Sequence, residues 1–420
     1  MAGNVTARAI RPSSRAASPI TRPHVLTISG LRRAGAACVF LSATRVAAQD
    51  SSRAAPRDTA SPRPSSARQA SPTPTLDFSG VIFANYQYGG PKGNRAINRF
   101  DLDRAYLNFR VNPADRFAIR VTADVFQQRD TTRDAYYRGW TYRAKYAYAQ
   151  YEYLRGANGL AANARLGMVN TVIVDTEEQI WPRGIAPVAV DQLGFISSSD
   201  VGLSTTATLP NRTGEFYASI VNGSGYQSRE VDRFKDYAAR FTYTPLARGQ
   251  SFLKTLSISP WFSQGSRASD FARRRGSVQA VPDARNKSRT GLLITVRDPR
   301  LTAGVHAAWR FEEDETADTT TAVAPTVNDR TGRVISSYVI VRPFAFGAAQ
   351  PTSPFSIIAR YDNYRPDADV AAGSKFTVAG VTYEFNRRLS LTLDHQALYP
   401  WGGATGPDTK VLFAHVIANF

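Results

Sequence analysis

The chain ends in KVLFAHVIANF (410–420), and this stretch decides the fold. Successive side chains of a β-strand point to opposite faces, so residues two apart share a face. One face is wholly apolar and consists of Leu412, Ala414, Val416, Ala418 and Phe420. We assign Lys410 and His415 to the other face. A terminal aromatic on a lipid-facing row is typical of the last strand of an outer-membrane β-barrel, although an ordinary half-buried strand alternates in the same way.

Alternating stretches of this kind recur throughout the preceding sequence. About sixteen of them, each about 9 to 14 residues long, suit strands that cross a membrane at a tilt. They begin near Leu76, Asn98, Phe117, Tyr142, Asn163, Val201, Glu215, Asp236, Phe252, Arg289, Leu301, Arg333, Phe355, Lys375, Leu389 and Thr409. The prediction is an all-β, antiparallel transmembrane barrel over residues 76–420. A soluble sandwich also has a polar face, but it usually has seven to nine strands.

Breaks of two kinds separate the strands. Asn112-Pro113-Ala114-Asp115 and Asn211-Arg212-Thr213-Gly214 have the residues of tight turns. The breaks at 128–139, 171–199, 264–288 and 312–331 are long. Outer-membrane barrels have short periplasmic turns and long extracellular loops, so we expect the long breaks outside the cell.

Charged side chains repeatedly fall opposite the apolar rows. We predict that these residues line a water-filled pore and that the arginines make its interior attractive to anions. The predicted pore-lining set is Arg104, Arg110, Arg120, Arg165, Arg240, Arg310 and Arg360, with Asp124 and Asp362 moderating the field.

Composition excludes other kinds of membrane protein. No segment after residue 50 approaches the roughly 18 to 20 apolar residues of a spanning helix. The mean hydropathy is slightly negative, as expected when only every second residue of a strand meets lipid. The single cysteine, Cys38, excludes an internal disulfide.

The start of the chain predicts export. Residues 1–48 contain the Arg32-Arg33 pair, a short apolar stretch and a small-residue end, which indicate a signal peptide cleaved after Ala48. The true translation start is expected near residue 25. Residues 49–75 are rich in Pro, Ser and Arg without aromatics, so we expect a disordered linker.

Several phrases together resemble the phosphate-selective porin O and P type family of bacterial outer-membrane porins. They are FDLDRAYLNFRVNPADRFAIRVTADV (100–125), AYAQYEYL (147–154), ARLGMVNT (164–171), SSDVGLS (198–204), VNGSGY (221–226), KDYAARFTYTP (235–245) and the terminal strand. The resemblance implies a sixteen-stranded, homotrimeric, anion-conducting porin. The chain departs from it in having few lysines and no basic cluster in its long loop, which leaves phosphate specificity open.

No constellation in the sequence indicates catalysis or a cofactor. His306, His395 and His415 have no partner at metal-ligand spacing. The carboxylates Glu177-Glu178 and Glu312-Glu313 fall in predicted outer loops, where we interpret them as solvated charges or as lipopolysaccharide contacts bridged by divalent ions. The densest basic runs fall in the predicted leader and linker, and the arginines of the barrel are dispersed among acidic residues, which argues against a nucleic-acid partner. The predicted function is passive diffusion of small anions, phosphate or polyphosphate among them. The alternative is an outer-membrane enzyme or anchor that acts through its loops.

Overall fold

A computed structural model describes residues 74–93, 97–127, 139–269, 284–316, 326–347 and 352–420. Sixteen antiparallel strands form a closed barrel in which each strand pairs with its neighbours in sequence and β1 pairs with β16. The strands are β1 Thr75–Pro91, β2 Ile97–Ala114, β3 Phe117–Gln127, β4 Trp140–Arg155, β5 Ala161–Asn170, β6 Ser199–Thr208, β7 Gly214–Val221, β8 Asp236–Tyr243, β9 Ser257–Ala268, β10 Ala284–Arg297, β11 Leu301–Thr316, β12 Thr326–Val341, β13 Phe355–Arg365, β14 Gly373–Glu384, β15 Leu389–Trp401 and β16 Thr409–Asn419. The predicted fold class is confirmed.

Most strands begin within a few residues of the predicted positions, but β9, β10 and β12 differ by five to seven residues: β10 begins at Ala284 and not near Arg289, and β12 begins at Thr326 and not near Arg333. The strand expected near Phe252 begins at Ser257, because Phe252–Thr255 forms a short 3₁₀ helix before it. Two expected loops are also shorter than predicted, since β9 to β12 extend into the ranges 264–288 and 312–331. The polar ends of these strands hide their continuation, because charged pairs replace the apolar alternation there.

The outward face of the wall is apolar, as the alternation predicts. Val121 is 43% exposed and Val305 is 48% exposed, whereas the adjacent inward residues Thr122 and His306 are 1% exposed. The assignment of Lys410 to the face opposite Leu412 is wrong. Lys410 lies on the same face as Leu412 and is exposed, because residues an even number of positions apart point to the same side of a strand. Its ammonium lies 5.6 Å from the centroid of the outward Tyr399 ring.

The two ends of the barrel differ. The first residue of β1 and the last of β16 lie at one end, together with seven connections that include 115–116, 298–300 and 385–388. We call this end the short-turn rim. Asn211 and Arg212 have φ angles of 57° and 58° at one of its turns, which is a conformation that asparagine tolerates better than most residues. The eight connections at the other end include 128–139 and 222–235.

Residues 171–198, which connect β5 to β6, fold into the barrel. We call this segment the inserted loop; it was predicted as an outer loop, and that position is wrong. It contains the short helices α1 (Val174–Glu178) and α2 (Ala189–Gln192). Its apolar side chains, among them the fully buried Trp181, pack against inward residues of β7 to β14. Burial of this apolar surface holds the loop against one side of the lumen.

The predictions for the leader, residues 1–48, and for most of the linker, 49–75, lie outside the described residues. Only the boundary of the linker is described, where β1 begins at Thr75. Among the residues that the structure describes, no helix is long and apolar enough to cross a membrane.

Candidate solute pathway

Inward side chains of four distant strands hold the inserted loop by its backbone carbonyls. Arg240 of β8 donates to the carbonyl oxygen of Val172, Arg360 of β13 donates to that of Pro187 (2.6 Å), and Gln396 of β15 donates to that of Ile185 (2.9 Å). Arg310 of β11 donates to the carbonyl oxygen of Leu193 (3.5 Å) and lies 5.0 Å from the centroid of the Phe195 ring. These carbonyls would otherwise be buried without a hydrogen-bond partner, which is costly.

The predicted pore-lining residues Arg240, Arg310 and Arg360 therefore belong to the loop's support. Each is at most 8% exposed. Arg240 also pairs with Glu215, and Arg360 pairs with the predicted Asp362 at 2.7 Å. Arg310 donates to the hydroxyl of Tyr364 (2.6 Å). Their charges contribute to the field inside the barrel, and most of their donors are occupied, although the buried Nε atoms of Arg240 and Arg310 have no hydrogen-bond partner within the described residues.

A buried chain of hydrogen bonds joins helix α1 to the wall. The Nδ1 atom of His306 lies 2.7 Å from Oε2 of Glu177, and the indole N–H of Trp261 donates to Nε2 of the same histidine (3.0 Å). Because Nε2 accepts that bond, the imidazole proton is assigned to Nδ1. The side chains of His306 and Glu177 are each 1% exposed. The prediction that Glu177 is a solvated loop charge is wrong.

Glu178, the next residue, is part of a second buried network. It pairs with Lys145 of β4 at 3.4 Å and with Arg183 of the loop at 2.6 Å, and Arg183 also pairs with Asp191 at 2.8 Å. Burial opposes ionisation of Glu178, but the adjacent Lys145 and Arg183 outweigh it and lower its pKa. Burial likewise opposes the charge on Arg183, yet its neighbours, Glu178 and Asp191 among them, raise its pKa well above the ordinary value.

The wall formed by β2 to β5 is polar and basic. Asp124 is fully buried and accepts from Arg104 (2.6 Å) and Arg143 (3.0 Å). Arg120 bonds to Asn108 and Thr122, whereas Arg165 bonds to Gln150 and Asn170. Their guanidinium carbons lie 4.6 Å and 5.3 Å from the ring centroids of Tyr146 and Tyr148, respectively.

Within the described residues, Arg120 and Arg165 are predicted cations without an acidic partner that the inserted loop does not cover; Arg310 also has only neutral partners there, but the loop covers it. Among the described residues neither Arg120 nor Arg165 forms an ion pair, since all their hydrogen-bond partners are neutral. Both are half-buried. The remaining predicted cation, Arg110, is exposed close to the short-turn rim and is opposite Asp77 in the β1–β2 register. The structure thus brings Arg104, Arg110, Arg120 and Arg165 to one stretch of wall, with Arg110 opposite Arg120 in the β2–β3 register. It places Arg240, Arg310 and Arg360 against the inserted loop.

Cavities lie on both sides of the inserted loop. On the side of the long connections, a cavity of about 400 Å³ is lined by Asp191, Asp200, Asp236, Lys287 and Arg289. At the short-turn rim, cavities of about 890 Å³ and 230 Å³ share Arg342 and Glu384. We call these two cavities at the short-turn rim, taken together, the rim vestibule. Within the described parts of the chain, no three His, Cys, Asp or Glu side chains are grouped so as to hold a metal ion.

Solved outer-membrane channels have a similar fold. The anion-selective porin from Comamonas acidovorans superposes with a TM-score of 0.53 at 10% identity, over 83% of this chain and 100% of that one. For OprB of Pseudomonas putida the TM-score is 0.54 at 10% identity, over 82% and 94% of the two chains. For OmpF of Salmonella typhi it is 0.51 at 12% identity, over 82% and 97%. No protein-family model and no curated protein sequence matches the chain. At these identities the likeness establishes the fold, a sixteen-stranded porin barrel.

Proposed function

We propose that the protein is an outer-membrane porin through which small anions, phosphate among them, diffuse passively. A closed barrel leaves no strand edge exposed to lipid, and an outward apolar row on each strand suits a hydrocarbon environment. The porins with a similar fold support this assignment. We further propose that the chain is exported by its leader, and that Phe420 is recognised by the barrel-assembly machinery. In the membrane it would then form a homotrimer surrounded by lipopolysaccharide.

The route of the solute follows the wall of β2 to β6. The apolar cluster between the inserted loop and β7 to β14 fills the opposite side, and water does not enter a close-packed apolar region. Along β3 to β6 the inward side chains Arg120, Gln150, Asn163, Arg165 and Thr206 are polar and half-buried. Solutes would therefore cross the loop at this wall.

One observation carries the anion preference: Arg120 and Arg165 present charge on this route without an acidic partner. Arginine stays ionised at all relevant pH values, and its fork of donors matches phosphate and carboxylate groups. Of the other cations nearby, Arg104 and Arg143 share the single carboxylate of Asp124, which compensates only one of their two charges. The result is a modest positive potential, which favours anions without excluding cations.

Reversal potentials across planar bilayers in a salt gradient test this proposal. The parent protein should prefer anions, and the double variant Arg120→Gln/Arg165→Gln should move the reversal potential toward cations. The shift should be larger in dilute salt, because screening at ~0.1 M limits each charge to about 10 Å. Arg333→Gln is the matched control, since it removes an exposed cation from the outward row of β12. Cation preference of the parent, or an equal shift in the control, would contradict the proposal.

Preference for phosphate is the narrower part of the proposal and rests on the family resemblance. It predicts that phosphate is more permeant, relative to chloride, in the parent than in the double variant. Equal permeability ratios in the two proteins would remove phosphate preference and leave general anion diffusion in place.

A further inference from the structure

We infer that the rim vestibule is a binding site for multivalent anions, that is, for flexible molecules that carry several phosphate or carboxylate groups. This site adds a class of ligand to the proposed function. Only the measurement of current block rests on the proposal that the protein is a conducting porin. It lies between the underside of the inserted loop and the turns at the short-turn rim. Its lining includes Glu178 and Pro182 of the loop and the ends of β10, β12, β14 and β15.

The vestibule has more positive charge than its carboxylates can neutralise. Four arginines line it, Arg297, Arg342, Arg387 and Arg388, together with three carboxylates, Glu178, Asp298 and Glu384. Each carboxylate already has a cation. Glu384 pairs with Arg342 at 2.8 Å, Asp298 lies 3.6 Å from Arg300, and Glu178 is held by Arg183 and Lys145.

Three exposed arginines are thus left over: Arg297, Arg387 and Arg388. None of them forms an ion pair with any residue that the structure describes.

The backbone holds these arginines in place. In the turn between β14 and β15, the side-chain oxygen of Asn386 accepts from the backbone N–H of Arg388 (2.7 Å) and of Leu389 (3.0 Å). The backbone N–H of Asn419 in β16 donates to the carbonyl of Arg388 (2.7 Å). The backbone of Arg297 exchanges two bonds with the Thr255 hydroxyl. An anion that binds here orders side chains but not backbone, which lowers the entropic cost of binding.

Three separated guanidinium groups favour ligands that carry several negative charges over ligands that carry one. A single exposed ion pair contributes little binding free energy in water. A molecule with several linked oxyanion groups gains from each contact while losing its translational freedom only once. Guanidinium forks donate hydrogen bonds to phosphate and carboxylate oxygens alike. The ligand is therefore defined by its number of oxyanions.

The cavity on the other side of the loop lacks this excess. Its Lys287 pairs with Asp236 at 2.9 Å and its Arg289 pairs with Glu312. Its Asp200 accepts from the backbone N–H groups of Gly223 (2.7 Å) and Gly225 (3.0 Å) and forms no ion pair within the described residues. A multivalent anion is thus expected to bind in the rim vestibule rather than in this cavity.

Inorganic triphosphate is the probe, applied to the full-length barrel. In an oriented bilayer it should block current at a lower concentration from the short-turn side than from the other side. Arg387→Gln/Arg388→Gln should raise the half-blocking concentration about tenfold, the effect of losing two or three weak contacts. Arg248→Gln/Lys254→Gln is the matched control, because both side chains are exposed on the same rim but do not line the vestibule. It should change the concentration less than about twofold.

Calorimetric titration in detergent measures binding without conduction and separates the two proposals. Heat of binding in the parent that is lost in Arg387→Gln/Arg388→Gln supports the site even if the channel prefers cations. A tricarboxylate is the second probe: binding of both supports a general oxyanion site, and binding of triphosphate alone supports a phosphate site. An anion-selective channel that triphosphate blocks equally from both sides, or a control pair that weakens binding as much, would overturn the inference. So would the absence of binding heat with both probes.

Discussion

The carboxylate of Glu177 on the inserted loop and the imidazole of His306 on the barrel wall are joined 2.7 Å apart in a site that solvent does not reach. The loop residue and the wall residue are 129 positions apart in sequence. Their contact fixes helix α1 against β11, and Trp261 orients the imidazole from β9. This hydrogen bond is therefore one of the contacts that hold the inserted loop against the barrel wall.

Replacing Glu177 tests this contact. Glu177→Ala leaves the imidazole N–H buried without an acceptor, which costs about 1 to 3 kcal/mol. We expect a lower free energy of unfolding in urea and faster hydrogen exchange of the loop amides, together with noisier single-channel current. Glu177→Gln keeps an acceptor oxygen and should lose less than half as much stability. Equal losses in both variants would mean that the hydrogen bond does not hold the loop.

The ion pairs of Glu178 with Lys145 and Arg183 predict that the free energy of unfolding depends on pH. Its cations lower the pKa of Glu178 below the ordinary 4.5, so the folded barrel binds this proton less readily than the unfolded chain. The stabilisation is complete above 4.5 and is lost as pH falls through the folded-state pKa. The difference in unfolding free energy between the parent and Glu178→Gln should therefore be constant at neutral pH and shrink in acid. If the difference in unfolding free energy between the two proteins did not change with pH, this prediction would be wrong.

The sequence predicted the wall of the barrel better than its interior. Alternation with period two is set by the strand itself, so the outward rows around Val121 and Val305 could be assigned from residue order alone. The alternation does not show which other segment of the chain packs against an inward residue. For that reason it predicts Arg240 and Arg360 in the pathway, although the inserted loop covers them.

A signal for the loop was present in its composition. The stretch TVIVDTEEQIWPRGIAPVAVDQLGFI (171–196) contains Val172, Ile173, Val174, Trp181 and Phe195, which is too many apolar residues for a solvated loop. Weighing that density would have predicted burial, as observed. The partner strands would have remained unknown, because contacts between distant segments leave no local pattern. Glu178 and Lys145 are an example of such a contact.

Closure of the barrel depends on Phe420 and Gly80. The backbones of these residues exchange two hydrogen bonds of 2.9 and 3.0 Å. The ring covers Gly80 so closely that a Cβ there would lie 2.2 Å from the Cζ atom of Phe420. Phe420→Ser should lower the yield of heat-modifiable, protease-resistant barrel in outer membranes, and Gly80→Val should do the same by displacing the ring. Phe420→Tyr preserves the ring and should assemble normally. Normal assembly of both Phe420→Ser and Gly80→Val would exclude a role for this contact.

Outward positions predict the cost of charge in lipid. Val121→Arg or Val305→Arg should lower the free energy of unfolding by about 2 to 4 kcal/mol if these side chains meet the middle of the membrane. Tyr243→Arg is the control, since Tyr243 is outward-facing and exposed at the last residue of β8. There a charge should cost only about 0 to 1 kcal/mol. The measurement is urea unfolding of barrels folded into lipid vesicles. Equal costs at all three positions would mean that Val121 and Val305 do not lie deeper in the membrane than Tyr243.

Arg360 and Arg120 both carry a charge on an inward row, yet their variants should behave differently. Arg360→Gln breaks a buried pair with Asp362 and removes the donor to Pro187 on the loop. Leaving such a carboxylate uncompensated costs about 3 to 5 kcal/mol, so we expect lower stability and a changed conductance. Arg120→Gln leaves only neutral partners behind and should alter ion selectivity while the stability changes little. Conductance and urea unfolding measured side by side distinguish the two residues. If Arg360→Gln changed selectivity alone, Arg360 would belong to the pathway as the alternation predicts, and the loop would be held by its apolar contacts.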